Sequence, residues 1–129
     1  MEGPRPRVAV VDDDLSVRKA LERLLRAAGF DAVIFASAHE LFKFLESQHA
    51  DCLVLDLHMP GMNGLEVQRR LSQCGYRVPV IVVTGHDEPQ SRSQCLSAGA
   101  AAYFAKPLDD KALLGAIEAA MTAGAKARS

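Results

Sequence analysis

Five short apolar runs alternate with segments that have the hydrophobic periodicity of helices, and this alternation constrains the fold more than any other feature. The runs are apolar without interruption and rich in β-branched residues, so both of their faces are predicted to be covered. Strands of this kind, each followed by a helix, are typical of an α/β fold with a parallel sheet and helices on both faces. The predicted strands are 7–11, 32–35, 52–55, 78–83 and 100–105.

The segments between these runs carry the start and stop signals of helices. The first segment, 15–28, has its apolar side chains three and four residues apart, which places them on one helical face, and Gly29 ends it. The later segments have capping residues at their predicted starts. These are Ser37 with Glu40 as a capping box, Asn63 for a helix that ends near Gly75, Asp87 with Pro89 for a helix that ends near Gly99, and Asp109 for the last helix.

Length and composition restrict the classes of function that are open to the chain. Its 129 residues are enough for one domain, and 15 basic against 16 acidic residues give a net charge of −1. This balance lacks the basic excess of a surface that binds nucleic acid, and the apolar runs are too short to cross a membrane. We expect a disordered lead over 1–6, one domain over 7–122, and a tail or the start of a linker over 123–129.

The cysteines and histidines give no sign of a disulfide framework or of a zinc site. Cys52, Cys74 and Cys95 are scattered along the chain, which is typical of reduced thiols in a cytoplasmic protein. The four histidines lack the spacing of zinc ligands. We therefore expect a cytoplasmic protein whose chemistry depends on other residues.

Polar side chains follow four of the five predicted strands. In an open α/β sheet, ligands bind beyond the carboxyl ends of the strands, so these residues are the candidates for a functional site. A single polar strand end is common, and the significance lies in the combination of carboxylates, one hydroxyl and one ammonium. The set comprises Asp12, Asp13 and Asp14 after the first strand, Asp56 after the third, Thr84 after the fourth, and Lys106 with Pro107 after the fifth.

Clustered carboxylates need a compensating cation. Two of them a few ångströms apart repel by roughly 4 kcal/mol at an effective dielectric constant near 20, so their pKa values rise or a cation binds. A small hard ion held by one or two carboxylates and by water is typical of a Mg²⁺ site. Next to a lysine and a hydroxyl, such a site favours phosphoryl transfer, and a carboxylate can itself be the nucleophile.

Four segments of the chain resemble the receiver domain of two-component response regulators. They are VVDDD (10–14), LVLDLHMPGMNGLE (53–66), VIVVTGHDE (80–88) and AGAAAYFAKPL (98–108), and the TGH after the fourth strand is most similar to the FixJ-like subgroup. The resemblance covers residues 7–122. It implies the flavodoxin-like or CheY-like (βα)5 fold with strand order 2-1-3-4-5, a cis bond between Lys106 and Pro107, and a signalling switch controlled by phosphorylation.

The resemblance also implies a role for each residue of the set. Asp56 would accept a phosphoryl group, and the other residues would bind Mg²⁺, contact the phosphoryl group or respond to it. By position, Asp13 and Asp56 would bind Mg²⁺ directly and Asp12 mainly through water, with the backbone carbonyl of His58 as a further ligand. Lys106 and Thr84 would contact the phosphoryl group, and Tyr103 would be the aromatic switch that turns inward when Thr84 moves. His58 and His86 would tune the lifetime of the phosphate.

The resemblance implies two kinds of partner. One is a sensor histidine kinase, which would dock on the first helix, and the other is the partner that responds to the phosphorylated state. Phosphorylation would change the surface formed by the fourth helix, the fifth strand and the fifth helix, and a homodimer is expected to form there. Receivers of this subgroup often precede a DNA-binding domain that controls transcription, and no such domain is present in these 129 residues. We expect neither direct binding of nucleic acid nor a membrane partner.

Two other functions remain open at this point. Asp12-x-Asp14-x-Ser16 loosely resembles the haloacid-dehalogenase motif, with Asp12 as the nucleophile and Asp14 as the general acid of a Mg²⁺-dependent phosphohydrolase. The chain could instead be a binding module that kept the fold and lost phosphorylation. A receiver, by contrast, is not an enzyme beyond its own phosphorylation from a phosphodonor and its own dephosphorylation.

Overall fold

Strands and helices alternate along the whole of residues 5–128, the part of the chain that the computed structural model describes, with side chains up to residue 123. None of the helices in this part is both long enough and apolar enough to cross a membrane. The elements are β1 (Arg7–Val11), α1 (Leu15–Ala27), β2 (Asp31–Phe35), α2 (Ala38–Leu45), β3 (Cys52–Asp56), α3 (Gly64–Gln73), β4 (Val80–Thr84), α4 (Pro89–Ser97), β5 (Ala102–Ala105) and α5 (Asp110–Arg128).

The predicted domain limits are only partly covered by the described residues. Residues 1–4 and 129 lie outside them, so the predicted lead over 1–6 is described only at Arg5 and Pro6. Helix α5 continues to Arg128, through most of the segment 123–129 that the sequence assigns to a tail. The limits at residues 7 and 122 therefore stay a prediction.

The five strands form one parallel sheet in the order β2-β1-β3-β4-β5, which confirms the predicted fold. β1 lies between β2 and β3, and its Val10 pairs with Ile34 and with Val54. The predicted strand limits are displaced by up to two residues, since β4 is Val80–Thr84 and β5 is Ala102–Ala105. Thr84 pairs with Ala105 in the β4–β5 ladder, so this candidate site residue belongs to the sheet itself.

Helices cover both faces of the sheet, as the uninterrupted apolar runs predict. Successive side chains of a strand point to opposite faces, so each run contributes to two hydrophobic cores. One core lies between the sheet and α2, α3 and α4, and the other lies between the sheet and α1 and α5. In β1, Ala9 and Val11 belong to the first core and Val8 and Val10 to the second, and all four are completely buried.

Capping side chains start four of the five helices, at the predicted residues in α2, α3 and α5 and at Asp14 in α1. The Asp14 carboxylate accepts hydrogen bonds from the backbone amides of Ser16 and Val17 at 2.8 and 3.4 Å. Asn63 and Glu66 form a complete capping box at the start of α3. The other confirmed caps are Asp109, which accepts from the amides of Lys111 and Ala112, and Ser37, which accepts from the Glu40 amide but does not complete the box.

The predicted start of α4 is confirmed for Pro89 and wrong for Asp87, which does not cap the helix. The residue at the cap position is Glu88 rather than Asp87, and it makes no side-chain hydrogen bond to the helix. Pro89 determines the start of the helix instead, because its ring fixes a helical φ and it has no amide proton that needs a partner. Helix α4 therefore begins without a polar side-chain cap.

Gly64 brings α3 against the carboxyl end of β3. A Cβ atom at this position would lie 2.9 Å from the carbonyl oxygen of Asp56 and 2.9 Å from the Cα atom of Leu57. Both are backbone atoms, which cannot rotate away as the end of a side chain can. The Gly64 amide also donates a hydrogen bond to the Leu57 carbonyl at 2.8 Å. The close approach of the helix to Asp56 therefore requires glycine at this position.

We expect Gly64→Ala to lower the free energy of unfolding by about 2 to 4 kcal/mol, because the added methyl group collides with backbone atoms. Gly115→Ala is the matched control, because Gly115 lies in α5 with open space around its Cβ position. There, alanine should stabilise the helix by about 1 kcal/mol. Urea denaturation of both variants measures the two effects. A Gly64→Ala variant as stable as the wild type would contradict the close contact.

Candidate functional site

The polar residues predicted from the strand ends lie together at the carboxyl edge of the sheet. Asp12 follows β1 directly, Asp56 and Thr84 are the last residues of β3 and β4, and Lys106 follows β5 directly. The Lys106–Pro107 peptide bond is cis, as predicted. A cleft of about 260 Å³ opens at this edge. It is lined by Asp12, Asp13, Asp14, Asp56, His58, Gly85, His86 and Lys106.

Three carboxylates form a compact cluster in the cleft. Asp12, Asp13 and Asp56 each offer one oxygen, and these oxygens lie within 4.8 Å of one another. Asp12 is 1% exposed and Asp56 is 4% exposed, whereas Asp13 is open to solvent. Within residues 5–128, this is the only such group of three potential metal ligands. Larger surface hollows, of about 490 and 880 Å³, share no lining residue with this cleft.

Asp12 is held by hydrogen bonds at both its side chain and its backbone. Lys106 Nζ donates to Oδ2 of Asp12 at 2.9 Å, and the Asp14 amide donates to Oδ1 at 2.9 Å. The Asp12 amide donates to the Phe35 carbonyl at 3.2 Å, and the Asp12 carbonyl accepts from the Arg18 guanidinium at 2.8 Å. The position of this carboxylate is therefore fixed before any ligand binds.

Lys106 is closer to Asp12 than to Asp56. Its Nζ lies 3.8 Å from Oδ1 of Asp56, against 2.9 Å from Oδ2 of Asp12. Burial by itself lowers the pKa of the Lys106 ammonium, but the Asp12 hydrogen bond and the charges of Asp12, Asp56 and Asp13 outweigh it and raise the pKa. Lys106 therefore stays charged and compensates part of the negative charge in the cleft.

The surroundings of Asp56 disfavour its charged form. Burial is the largest cause and the negative charge of Asp12 the second largest, and they raise the pKa of Asp56 to about 7. The Lys106 ammonium and a hydrogen bond from the His58 amide, at 3.4 Å, act in the opposite direction without cancelling the rise. Such a shift is the physical result of placing carboxylates close together in a buried site.

The donor set of the cluster fits a small divalent cation. All three side chains offer oxygen, the ligand atom that hard cations such as Mg²⁺ prefer. The exposure of Asp13 leaves one side of the cluster open to water, and Mg²⁺ usually keeps several waters among its ligands. A cation there would also relieve the repulsion that raises the pKa of Asp56.

Thr84 is completely buried, and its hydroxyl is bonded to the loop that follows β4. Oγ1 accepts a hydrogen bond from the His86 amide at 3.0 Å and donates one to the His86 carbonyl at 3.2 Å. Both bonds are to the backbone of a residue only two positions later. A contact between this hydroxyl and a ligand in the cleft therefore requires these two hydrogen bonds to break.

His58 and His86 face each other at the mouth of the cleft. Their ring centroids are 5.8 Å apart, and the ring planes are inclined by 76°. His86 Nε2 also lies 2.9 Å from a carboxylate oxygen of Glu88. The sequence places each histidine two residues after a site residue, but it does not predict that the two rings meet, because the contact joins two separate loops.

Tyr103 is 4% exposed and belongs to the core that contains α2, α3 and α4. The Arg92 guanidinium carbon lies 5.5 Å from the centroid of its ring. Among the described residues, the hydroxyl has no hydrogen-bond partner. Burial is the largest cause and the neighbouring Asp87 carboxylate the second largest, and they raise the pKa of Tyr103 to about 12. The ring already faces inward in this structure.

Asp14 has a structural role in this arrangement. Its Oδ1 caps α1, and its backbone amide orients the carboxylate of Asp12. The phosphohydrolase interpretation needs Asp14 as a general acid and gives no role to Asp56, although Asp56 lies in the same cleft. The geometry therefore favours the receiver interpretation.

Two polar residues whose side chains make tertiary hydrogen bonds are not predicted from the sequence. Arg18 bonds the Asp12 carbonyl, and Gln68, 4% exposed, donates from Nε2 to the Cys95 carbonyl at 3.1 Å. Gln68 does carry a signal, because it shares the buried face of α3 with Val67 and Leu71, where a polar residue is unusual. Arg18 carries none, since a charged residue on a helix usually points to solvent.

Comparison with known proteins identifies the class that this fold and this cleft define. Residues 8–118 match the model of the response regulator receiver domain, and the chain belongs to that family. It is accordingly a signalling domain of two-component systems, the phosphorylation-controlled switch of a response regulator.

Individual relatives agree with this assignment. The response regulator protein TodT of Pseudomonas putida is 37% identical over 122 residues, which are 95% of this chain and 54% of TodT. The DNA-binding transcriptional regulator NtrC of Escherichia coli is 36% identical over 115 residues, which are 89% of this chain and 24% of NtrC. The crystal structure of FixJ-N superimposes with a TM-score of 0.85 at 34% identity and covers 95% of this chain and 96% of that one. The chain thus spans about half the length of TodT.

We expect Asp56→Asn to stabilise the metal-free protein at pH 8 and to change its stability little near pH 4. An acid whose pKa is raised on folding, here from 3.8 to about 7, binds its proton more tightly in the folded state, so stability falls as the pH rises between these values. The substitution removes that loss, which is on the order of 2 to 4 kcal/mol at about 1.4 kcal/mol per unit of pKa.

Urea denaturation at both pH values, with a chelator present, measures this difference. Asp110→Asn is the control, because Asp110 is exposed on α5, and it should show no gain at pH 8. An Asp56→Asn variant whose stability relative to the wild type is the same at the two pH values would contradict the raised pKa.

Proposed function

We propose that Asp56 accepts a phosphoryl group from the phosphohistidine of a sensor histidine kinase in a Mg²⁺-dependent reaction. The observation that carries this proposal is the position of Asp56: a buried carboxylate in a cleft, clustered with two further carboxylates and 3.8 Å from the Lys106 ammonium. The proposal extends the family assignment to a specific residue of this chain.

In the proposed step, a carboxylate oxygen of Asp56 attacks the phosphorus atom of the donor. An oxygen–phosphorus bond forms while the nitrogen–phosphorus bond of the phosphohistidine breaks, and the imidazole leaves with the electron pair of that bond. The product is an acyl phosphate on Asp56. Attack of water on the same phosphorus atom reverses the modification, releasing inorganic phosphate and restoring the carboxylate.

Mg²⁺ would be held by Asp13 and Asp56 directly, by Asp12 mainly through water, and by the backbone carbonyl of His58. When bound, it supplies positive charge that neutralises the oxygens of the transferred group. Lys106 supplies a second positive charge, because its Nζ already lies between Asp12 and Asp56. Together these charges keep Asp56 ionised, which a nucleophilic carboxylate requires.

Thr84 and Tyr103 would transmit the phosphorylated state to the surface. The Thr84 hydroxyl would exchange its two bonds with the His86 backbone for a bond to the phosphoryl group, and the loop before α4 would follow. Tyr103 packs beside that loop, under Arg92 of α4. The movement of Thr84, of this loop and of Tyr103 would alter the face formed by α4, β5 and α5. We propose that the phosphorylated domain forms a homodimer through this face.

The lifetime of the phosphate would depend on His58 and His86. Both rings border the cleft and lie close to each other, so they restrict the path by which water reaches the phosphorus atom. The bond between His86 and Glu88 holds one of the two rings in place.

The relatives support the partners that we propose for the complete switch. We propose that α1 is the docking face for the kinase and that the output is a DNA-binding domain outside this chain, since NtrC is by name a DNA-binding transcriptional regulator. Direct binding of nucleic acid or of a membrane by this domain is not part of the proposal. All three cysteines are unpaired, which supports a location in the reducing cytoplasm.

The test of this function is the intact mass of the protein after incubation with a small acyl phosphate and Mg²⁺. We expect a gain of one phosphoryl group in the wild type, no gain in Asp56→Asn, and no gain when a chelator replaces Mg²⁺. Labelling that persists in Asp56→Asn would refute Asp56 as the acceptor.

Turnover of a phosphate ester that is lost in Asp12→Asn and kept in Asp56→Asn would establish the hydrolase instead. A failure to bind Mg²⁺ would favour a phosphorylation-independent binding module.

We expect Lys106→Met to increase the rise in Tm that Mg²⁺ causes. In the wild type the ammonium already compensates Asp12 and Asp56, so a cation has less repulsion to relieve. Without it, the metal-free protein should lose about 2 kcal/mol, because the buried Asp12 carboxylate is left without its counter-ion, and Mg²⁺ should restore much of that loss.

Thermal unfolding with a chelator and with Mg²⁺ measures the two shifts. Lys111→Met serves as the control, since Lys111 is exposed at the start of α5. Equal Mg²⁺-dependent shifts in Lys106→Met and the wild type would show that Lys106 and the cation do not share the same carboxylates.

A further inference from the structure

Helix α4 is attached to the rest of the protein by few apolar contacts. Of its residues Pro89–Ser97, only Cys95 is buried. Leu96, the largest apolar side chain of the helix, is 43% exposed. The stability of a helix in a protein comes mostly from the packing of its apolar face, so the position of α4 depends more than usual on polar contacts.

One such contact joins the carboxyl-terminal half of α4 to α3. The side chain of Gln68 on α3 is 4% exposed, and its Nε2 donates a hydrogen bond to the backbone carbonyl of Cys95 at 3.1 Å. The same carbonyl accepts a hydrogen bond from the Ala100 amide at 3.0 Å. Gln68 therefore bonds to a carbonyl at the point where the helix ends.

The seam between the two helices around this bond is polar and incompletely filled. A surface hollow of about 510 Å³ lies there, and it is lined by Gln68 and mainly by short or polar side chains. Among them are Ser72 on α3 and Ser93 and Ser97 on α4. Such side chains fix the distance between two helices less firmly than interlocking apolar ones.

Glutamine is not the residue that packing alone would favour at this position on the buried face of α3. Within the described residues, its Oε1 is buried and has no hydrogen-bond partner. A buried acceptor without a partner lowers stability, whereas an apolar side chain of similar size has no such penalty. An apolar residue would therefore serve the core at this position at least as well as glutamine does.

We propose that Gln68 is a positioning residue that holds the carboxyl-terminal turn of α4 against α3, so that α4 moves about this hydrogen bond as a pivot. The opposite end of α4 has no side-chain cap and follows the loop that bonds the Thr84 hydroxyl. One end of the helix is thus tied to α3, and the other end is held by the loop beside the cleft and by the contact of Arg92 with the Tyr103 ring.

The consequence for signalling rests on the proposed function. If phosphorylation of Asp56 draws the Thr84 hydroxyl away from His86, the loop before α4 changes, and the pivot at Gln68 converts that change into a rotation of the helix. Without the pivot, α4 would detach in part instead of rotating, and the phosphorylated and unphosphorylated forms would differ less at the helix.

The experiment is amide hydrogen exchange of unphosphorylated wild type, Gln68→Met and Gln68→Leu. We expect the amides of α4 to exchange about tenfold faster in both variants, the effect of losing one hydrogen bond from the closed state. Exchange in the strands should be unchanged, and the Tm should not fall. Gln73→Met is the matched control, because Gln73 is exposed on the same helix as Gln68. In this variant the amides of α4 should exchange at the wild-type rate.

Two results would overturn the proposal. One is exchange of the α4 amides at the wild-type rate in both Gln68 variants. The other is a lower Tm in both variants with faster exchange throughout the chain, because Gln68 would then be a general determinant of stability.

A second comparison isolates the pivot from the phosphorylation chemistry. After treatment with a small acyl phosphate and Mg²⁺, phosphorylation confirmed by intact mass should change the exchange of α4 less in Gln68→Met than in the wild type. If neither protein takes up phosphate, phosphorylation from a small acyl phosphate fails, while the exchange of the unphosphorylated forms still decides the role of Gln68. An equal phosphorylation-dependent change in both proteins would refute the pivot.

Discussion

Repulsion between buried carboxylates at the carboxyl edge of the sheet is the constraint on which the rest of the site depends. Asp12 and Asp56 are almost completely buried, and each has an oxygen within 4.8 Å of an oxygen of Asp13. Buried charges are tolerated only with compensating charges and hydrogen bonds, and Lys106 supplies one positive charge. Even so, the pKa of Asp56 is raised to about 7. The cleft therefore favours the binding of a cation, which compensates the negative charge of the carboxylates.

The fold makes this cluster rigid and leaves its surroundings easier to move. Uninterrupted apolar strands bury both faces of the sheet, so the residues at the strand ends have fixed positions, and Gly64 lets the β3–α3 loop lie against Asp56. Helix α4 is different, because it has one buried side chain and a polar seam with α3. Elements that move in a switch come from the less stable part of a structure. A fixed site beside a weakly packed helix is the physical basis on which a small chemical change can alter a surface.

The sequence predicted most reliably those features that depend on one residue type at one place in a pattern. The five apolar runs predicted five strands, and Ser37, Asn63 and Asp109 predicted three caps, because a short polar side chain before a helix has few other uses. The prediction for α4 failed where two signals competed: Asp87 has the chemistry of a cap, but Pro89 determines where the helix begins. Strand limits were displaced because a strand extends only where its neighbour offers a partner, as β5 does from Ala102.

The sequence by itself determined the type of fold and the chemistry available at the carboxyl edge. Parallel strands that each end in a polar residue deliver those residues to one edge, and this follows from their order along the chain. Only the tertiary structure decided which groups pair: Lys106 with Asp12 across 94 residues, and Gln68 with the Cys95 carbonyl across 27. It also decided the raised pKa of Asp56. The physical reason is that pairing, burial and repulsion depend on distances between atoms far apart in sequence, which only the packing of helices and strands determines.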